Sequence, residues 1–124
     1  MHPARLLILD DDPTVGQILL LAARASGCES RLCTEVADFL AALQPWAPTH
    51  LAIDLTLPGS SGLEVLRAVA GSGCSARVIV CSGAGRSELD AALAEARALA
   101  LPTAGALPKP FTLAQLRGLL AGAA

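Results

Sequence analysis

The chain has 124 residues, a length that suits a single domain able to bury a core without a disulfide or metal staple. Its 9 basic and 11 acidic residues give a formal net charge of -2, and no Lys/Arg cluster is present to meet a nucleic-acid backbone. Cys28, Cys33, Cys74 and Cys81 form no Cys-x-x-Cys pair and only His2 and His50 accompany them, so a zinc site or redox pair is poorly supported. The thiols read as small apolar filler suited to a reducing cytosol. Leu6–Leu9 is a short apolar run that meets three aspartates at once, and Ile18–Ala23 is far too short to span a bilayer. A cytoplasmic protein with no membrane contact is therefore expected. The hydrophobic share is 53% and the charged share 16%, against a usual charged share of about 25%. Some apolar surface is expected to stay exposed, for a partner, a neighbouring domain or a second copy.

Leu6–Leu9 reads as a buried strand, followed by a helix with Val15, Ile18, Leu19 and Ala22 on one face and Gly27 at its end. Cys28–Cys33 is a weaker strand, expected at a sheet edge. Val36, Phe39, Leu40 and Leu43 mark a second helix, with Thr34 placed to cap it and Pro45 and Pro48 closing the segment. Leu51–Ile53 is a short buried strand ending at Asp54. Ser61-x-x-Glu64 is a capping-box pattern, and Leu63, Leu66 and Val69 follow on one face. Val78–Val80 is a strand ending at Ser82, and Ser87-x-x-Asp90 opens a helix carrying Leu89, Leu93, Ala96 and Ala100. Thr103–Leu107 is a fifth strand, and Thr112-x-x-Gln115 opens a last helix with Leu113, Leu116 and Leu120 inward. Five strand–helix units in a row, with strands apolar throughout, imply an α/β fold with a parallel sheet between helix layers. Ligands in such folds bind beyond the carboxyl ends of the strands.

The strand ends carry Asp10-Asp11-Asp12, Asp54, Ser82 and, just after the fifth, Lys109. Half of the six aspartates in the chain stand at 10–12. Two unit charges 4 Å apart cost about 1 kcal/mol in water and about 4 at an effective dielectric of 20. A hard divalent cation removes that cost; a solvated acidic loop capping the first helix explains the triplet as well. Lys109 is the one lysine beside eight arginines, and it stands between Pro108 and Pro110. A compact ammonium that can turn from a carboxylate to a phosphoryl group is a use that arginine does not serve. The Lys109-Pro110 bond is a candidate cis peptide. Ser82 offers a hydroxyl donor, and Asp54 is followed by a loop opened by Leu57-Pro58-Gly59 and closed by Gly62.

In order, Asp10-Asp11-Asp12-Pro13, Asp54-x-x-Leu57-Pro58-x-x-x-Gly62, Cys81-Ser82-Gly83 and Lys109-Pro110-Phe111 resemble the motifs of the receiver-domain family of two-component response regulators. The resemblance spans residues 1–124 and implies a flavodoxin-like, doubly wound five-stranded parallel sheet of order 2-1-3-4-5. It implies Asp54 as a phosphoacceptor nucleophile. Mg²⁺ would be held by Asp11 and Asp54 with the Thr56 main-chain carbonyl, Asp10 acting through a water, while Ser82 and Lys109 hold the phosphoryl oxygens. The donor would be a sensor histidine kinase or phosphotransfer protein, and the output a switched partner or downstream domain. No enzyme activity is implied beyond phosphoryl transfer to Asp54 and slow self-dephosphorylation. The run through Lys109-Pro110-Phe111 also resembles receivers placed before a cyclic-di-GMP phosphodiesterase of the EAL type.

Three departures from the family stand out. Ala106 occupies the place of a usual aromatic residue, so the resemblance does not extend to a ring there that swings inward on activation. The segment from Ser82 to Lys109 is long, which suggests an extended fourth helix or following turn. Ala84 offers no polar group to orient a water where the family, as at Thr56, varies its dephosphorylation. Two other readings are open: a receiver-like interaction module that is not phosphorylated, and a small Mg²⁺-dependent phosphatase with an aspartyl nucleophile. The phosphatase has little room for a cap in 124 residues. A dinucleotide site fails because acidic residues occupy the turn where a glycine-rich loop belongs.

Overall fold

The structure is a computed structural model that describes residues 3–57 and 59–121. His2, Pro58 and Ala124 lie outside the described residues. The elements are β1 (Arg5–Leu9), α1 (Pro13–Ala25), β2 (Glu29–Cys33), α2 (Val36–Ala42), β3 (His50–Asp54), α3 (Gly62–Gly71), β4 (Arg77–Ser82), α4 (Arg86–Ala98), β5 (Thr103–Pro108) and α5 (Leu113–Ala121). Between β3 and α3, Thr56–Leu57 pairs antiparallel with Ser60–Ser61. All five numbered strands are parallel and lie in the order β2-β1-β3-β4-β5, as the family resemblance implied.

Alternation along the strands divides the core in two. Leu7, Leu9, Leu51, Ile53, Val78 and Val80 meet Phe39, Leu66 and Leu89 from α2, α3 and α4. Leu6, Ile8, Ala52, Ile79 and Cys81 meet Leu19, Leu20 and Leu116 from α1 and α5. The helix that follows β1 packs on one face of the sheet and the helix that follows β3 on the other, so the crevice of this topology opens where those two strands end. At the opposite rim, the Arg5 guanidinium stacks 4.3 Å from the Trp46 ring and donates to the Trp46 carbonyl from Nε at 3.2 Å and Nη2 at 2.7 Å. Arg5 also pairs with Glu29.

Four expected helix details are corrected. The buried face of α1 is Gly16, Leu19, Leu20 and Ala23, leaving Ile18 exposed. Leu63 and Leu113 likewise point outward, and Val65 fills the place expected of Leu63. Ala100 lies beyond α4 in the left-handed region, with φ 61°. The cause is common: where neighbouring positions are all Leu, Ile or Ala, hydrophobicity does not fix the phase of a helix, and close packing does. Gly16 shows this, since a Cβ there would stand 2.6 Å from Leu32 Cδ1, and glycine lets α1 approach β2 with that side chain in place. The caps at Thr34 and Ser87 also fail. Glu35 and Gly85 hold those N-cap positions without a side-chain bond. The Ser61 cap holds, its hydroxyl accepting from Glu64 N at 3.1 Å, and the Thr112–Gln115 box closes in both directions at 2.7 and 3.1 Å.

Cys28, Cys33 and Cys81 are buried and all four cysteines are free. Ile18, Leu21, Leu63 and Leu113 are large apolar side chains left exposed, as the composition led one to expect. Among the described residues no helix is long and apolar enough to cross a membrane.

Candidate phosphoacceptor site

The acidic triplet at the end of β1 splits into three roles. Asp12 caps α1: its Oδ1 accepts from Thr14 N at 2.9 Å and Val15 N at 3.3 Å, with Pro13 in the first turn where its missing N–H costs nothing. Asp10 is buried, accepting from Asp12 N at 3.0 Å through Oδ1 and from Lys109 Nζ at 2.8 Å through Oδ2. Asp11 stays exposed. The cap and the charged cluster are thus both present in one tripeptide.

Asp54 ends β3 and is only 5% exposed. Its Oδ1 accepts from Thr56 N at 3.0 Å, and its Oδ2 lies 3.4 Å from Lys109 Nζ. Asp10, Asp11 and Asp54 each bring a carboxylate oxygen within 4.8 Å of the others. Three carboxylates then face one ammonium, and this donor set fits a hard divalent cation. Thr56 is exposed at the start of the two-residue ladder.

Ser82 ends β4 beside Asp54, because Asp54 pairs with Cys81 and Leu55 N donates to Cys81 O at 2.9 Å. Its hydroxyl accepts from Ala84 N at 3.0 Å and donates to Glu88 Oε2 at 3.3 Å. Lys109 N donates to Ser82 O at 3.0 Å, and the Lys109-Pro110 bond is cis. Ala106 pairs with Val80 and packs on the core with no ring to move.

The charges at this rim perturb one another. Burial pushes the Asp54 carboxyl above its ordinary value; the Thr56 amide and the Lys109 charge pull it down, and Asp10 adds to the rise. Burial alone would lower the Lys109 ammonium, but the bond to Asp10 and the charges of Asp54 and Asp10 outweigh it and raise the group. Burial drives the Cys81 thiol up to about 12, so it is not a nucleophile at neutral pH.

All the expected residues therefore converge, Asp10, Asp11, Asp54 and Lys109 directly and Ser82 and Thr56 by their place on the adjoining backbone. The contact between Ser82 and Glu88 is one that sequence reasoning missed. Its only trace is an acid in the first turn of the helix after a strand-ending serine, and the intervening turn decides whether the two can meet.

A family model described as the response regulator receiver domain matches residues 6–121. Protein-glutamate methylesterase/protein-glutamine glutaminase 5 of Myxococcus xanthus is 37% identical over 119 residues, covering 91% of this chain and 34% of that protein. The transcriptional regulatory protein FixJ of Azorhizobium caulinodans is 36% identical over 104 residues, covering 84% of this chain and 47% of that protein. The chain thus spans less than half of the length of either relative. Among solved structures, a sensor protein from Polaromonas superposes with TM-score 0.83 at 25% identity, over 97% of this chain and 94% of that one. Vibrio cholerae chemotaxis protein CheY4 superposes with TM-score 0.83 at 21% identity, over 99% of this chain and all of that one, a likeness of fold.

Proposed function

The chain belongs to the response regulator receiver domain family, and from that premise we propose that it is a phosphorylation switch with Asp54 as the phosphoacceptor. The observation that carries the reading is the position of Lys109, whose Nζ stands 2.8 Å from Asp10 and 3.4 Å from Asp54. A single ammonium held between two buried carboxylates can counter the charge of an incoming phosphoryl group without leaving the site.

In this reading an Asp54 carboxylate oxygen attacks the phosphorus of a phosphohistidine on a sensor kinase or phosphotransfer protein. The P–N bond breaks, its electron pair stays with the imidazole nitrogen, and an acyl phosphate forms on Asp54. Such transfer depends on positioning and charge neutralisation. Asp11, Asp54 and the Thr56 carbonyl would hold Mg²⁺, with Asp10 acting through a water; when bound, the ion supplies positive charge opposite the phosphoryl oxygens. Lys109 and the Ser82 hydroxyl hold those oxygens from the other side. Transfer to its own Asp54 and slow loss of that group are the chain's only chemistry. The longer relatives support an output part beyond this domain, and the population shift starts at Ser82 and spreads to α4, β5 and α5.

The test is incubation with Mg²⁺ and a small acyl phosphate, followed by intact mass. The wild type should gain one phosphoryl group and Asp54→Asn none. A wild type that stays unmodified rejects the switch in favour of an interaction module.

A further inference from the structure

We propose that Glu88 is a positioning residue for phosphoryl transfer, acting through Ser82 as a latch that must open before Asp54 can be stably phosphorylated. The inference rests on Asp54 being the phosphoacceptor. A serine hydroxyl has one proton to give and two lone pairs. Here Ala84 N occupies a lone pair at 3.0 Å, and the proton goes to Glu88 Oε2 at 3.3 Å. A phosphoryl oxygen on Asp54 can receive that proton only if the bond to Glu88 breaks.

The surroundings suit a side-chain latch. Backbone bonds hold both flanks of Ser82, from Leu55 N to Cys81 O at 2.9 Å and from Lys109 N to Ser82 O at 3.0 Å, so the freedom left is rotation of the hydroxyl. Glu88 is set by the first turn of α4, which begins four residues after Ser82 through Gly85 at φ 141°. Glu88 stands at the edge of a groove of about 220 Å³ lined by Leu55, Gly62, Leu63 and Ala92, and being exposed its carboxylate has solvent to turn into. The bond is long and Glu88 is solvent-exposed, so it is weak enough to yield to a phosphoryl group carrying like charge. Ala106 leaves β5 without a ring to follow the hydroxyl, and Glu88 is then the side chain that answers its movement.

A double-mutant cycle on the intact chain tests this, reading the rate of Asp54 phosphorylation by a small acyl phosphate with Mg²⁺. Glu88→Ala removes the competing acceptor and should raise the rate about twofold, the worth of a hydrogen bond at the weak end of the net range. Ser82→Ala should lower the rate, and Glu88→Ala added to it should change nothing further. Glu88→Gln keeps an acceptor oxygen and should stay near the wild-type rate. Asp90→Ala removes a charge two residues further along α4, where Asp90 pairs with exposed Arg86 at 3.5 Å, and should leave the rate alone. Thermal unfolding checks that each variant is folded, and Glu88→Met, which keeps the length of the side chain without an acceptor oxygen, serves if Glu88→Ala is not. An unchanged rate in folded Glu88→Ala overturns the latch, as does a gain that persists without the Ser82 hydroxyl or one that Glu88→Gln shares. In each of those cases Asp54 is still phosphorylated and the receiver reading stands. A wild type that takes up no phosphoryl group rejects both.

Discussion

Burial holds Asp54 in a state that binds a proton more tightly than in the unfolded chain, despite an amide and an ammonium beside it. Above the ordinary value of 3.8 the unfolded carboxyl is ionised while the folded one still favours its proton. The folded state binds more protons across that window, so stability falls as pH rises through it. Asp54→Asn keeps the shape and removes the buried charge. We expect it to be more stable than the wild type at neutral pH by on the order of 1 kcal/mol, the difference closing toward acid pH. Urea unfolding of both proteins from acid to neutral pH measures this, and a less stable variant at neutral pH would contradict it. At this scale much of the site was legible: Asp10, Asp54, Ser82 and Lys109 stand where apolar strands end. A cap on the first helix and a charged cluster were both legible in the triplet, but which aspartate does which was not, because successive side chains diverge only once the turn is built. Glu88 was hidden for the same reason.

The strand–helix units could be read because β1, β3 and β4 each carry a continuous apolar run, whereas the helix faces could not be read reliably. Ile18 and Leu113 look like core residues by composition, yet the packing surface of α1 is set by Gly16, a residue with no hydrophobicity to reveal it. Close approach also governs the loop after Asp54. A Cβ on Gly62 would stand 2.9 Å from the Leu55 Cα, a backbone atom one residue beyond Asp54. Gly62→Ala should cost about 1–3 kcal/mol and slow phosphoryl uptake, because the backbone that carries Asp54 must shift. Gly16→Ala meets only the tip of the Leu32 side chain, which can turn away, and should cost less. Denaturant unfolding of the two variants compares them.

Across the molecule, the parallel order that the sequence implied gathers the charged groups at one rim, and a ligand there couples to global stability. If Mg²⁺ binds the folded cluster and not the unfolded chain, a tenfold excess over its Kd adds about 1.4 kcal/mol. The thermal midpoint should rise with Mg²⁺, return on chelation, and stop responding in Asp11→Asn. The opposite rim supplies the reporter for that titration. Trp46 is the only tryptophan, there is no tyrosine, and the guanidinium that covers its ring begins the strand whose other end leads to Asp10. Five strand residues put about 15 Å between that indole and the Asp10–Asp54 rim. Its fluorescence will follow melting of the whole domain while staying dark to the switch, so the optical signal usable for stability is the wrong one for activation. A probe of signalling has to be introduced near α4.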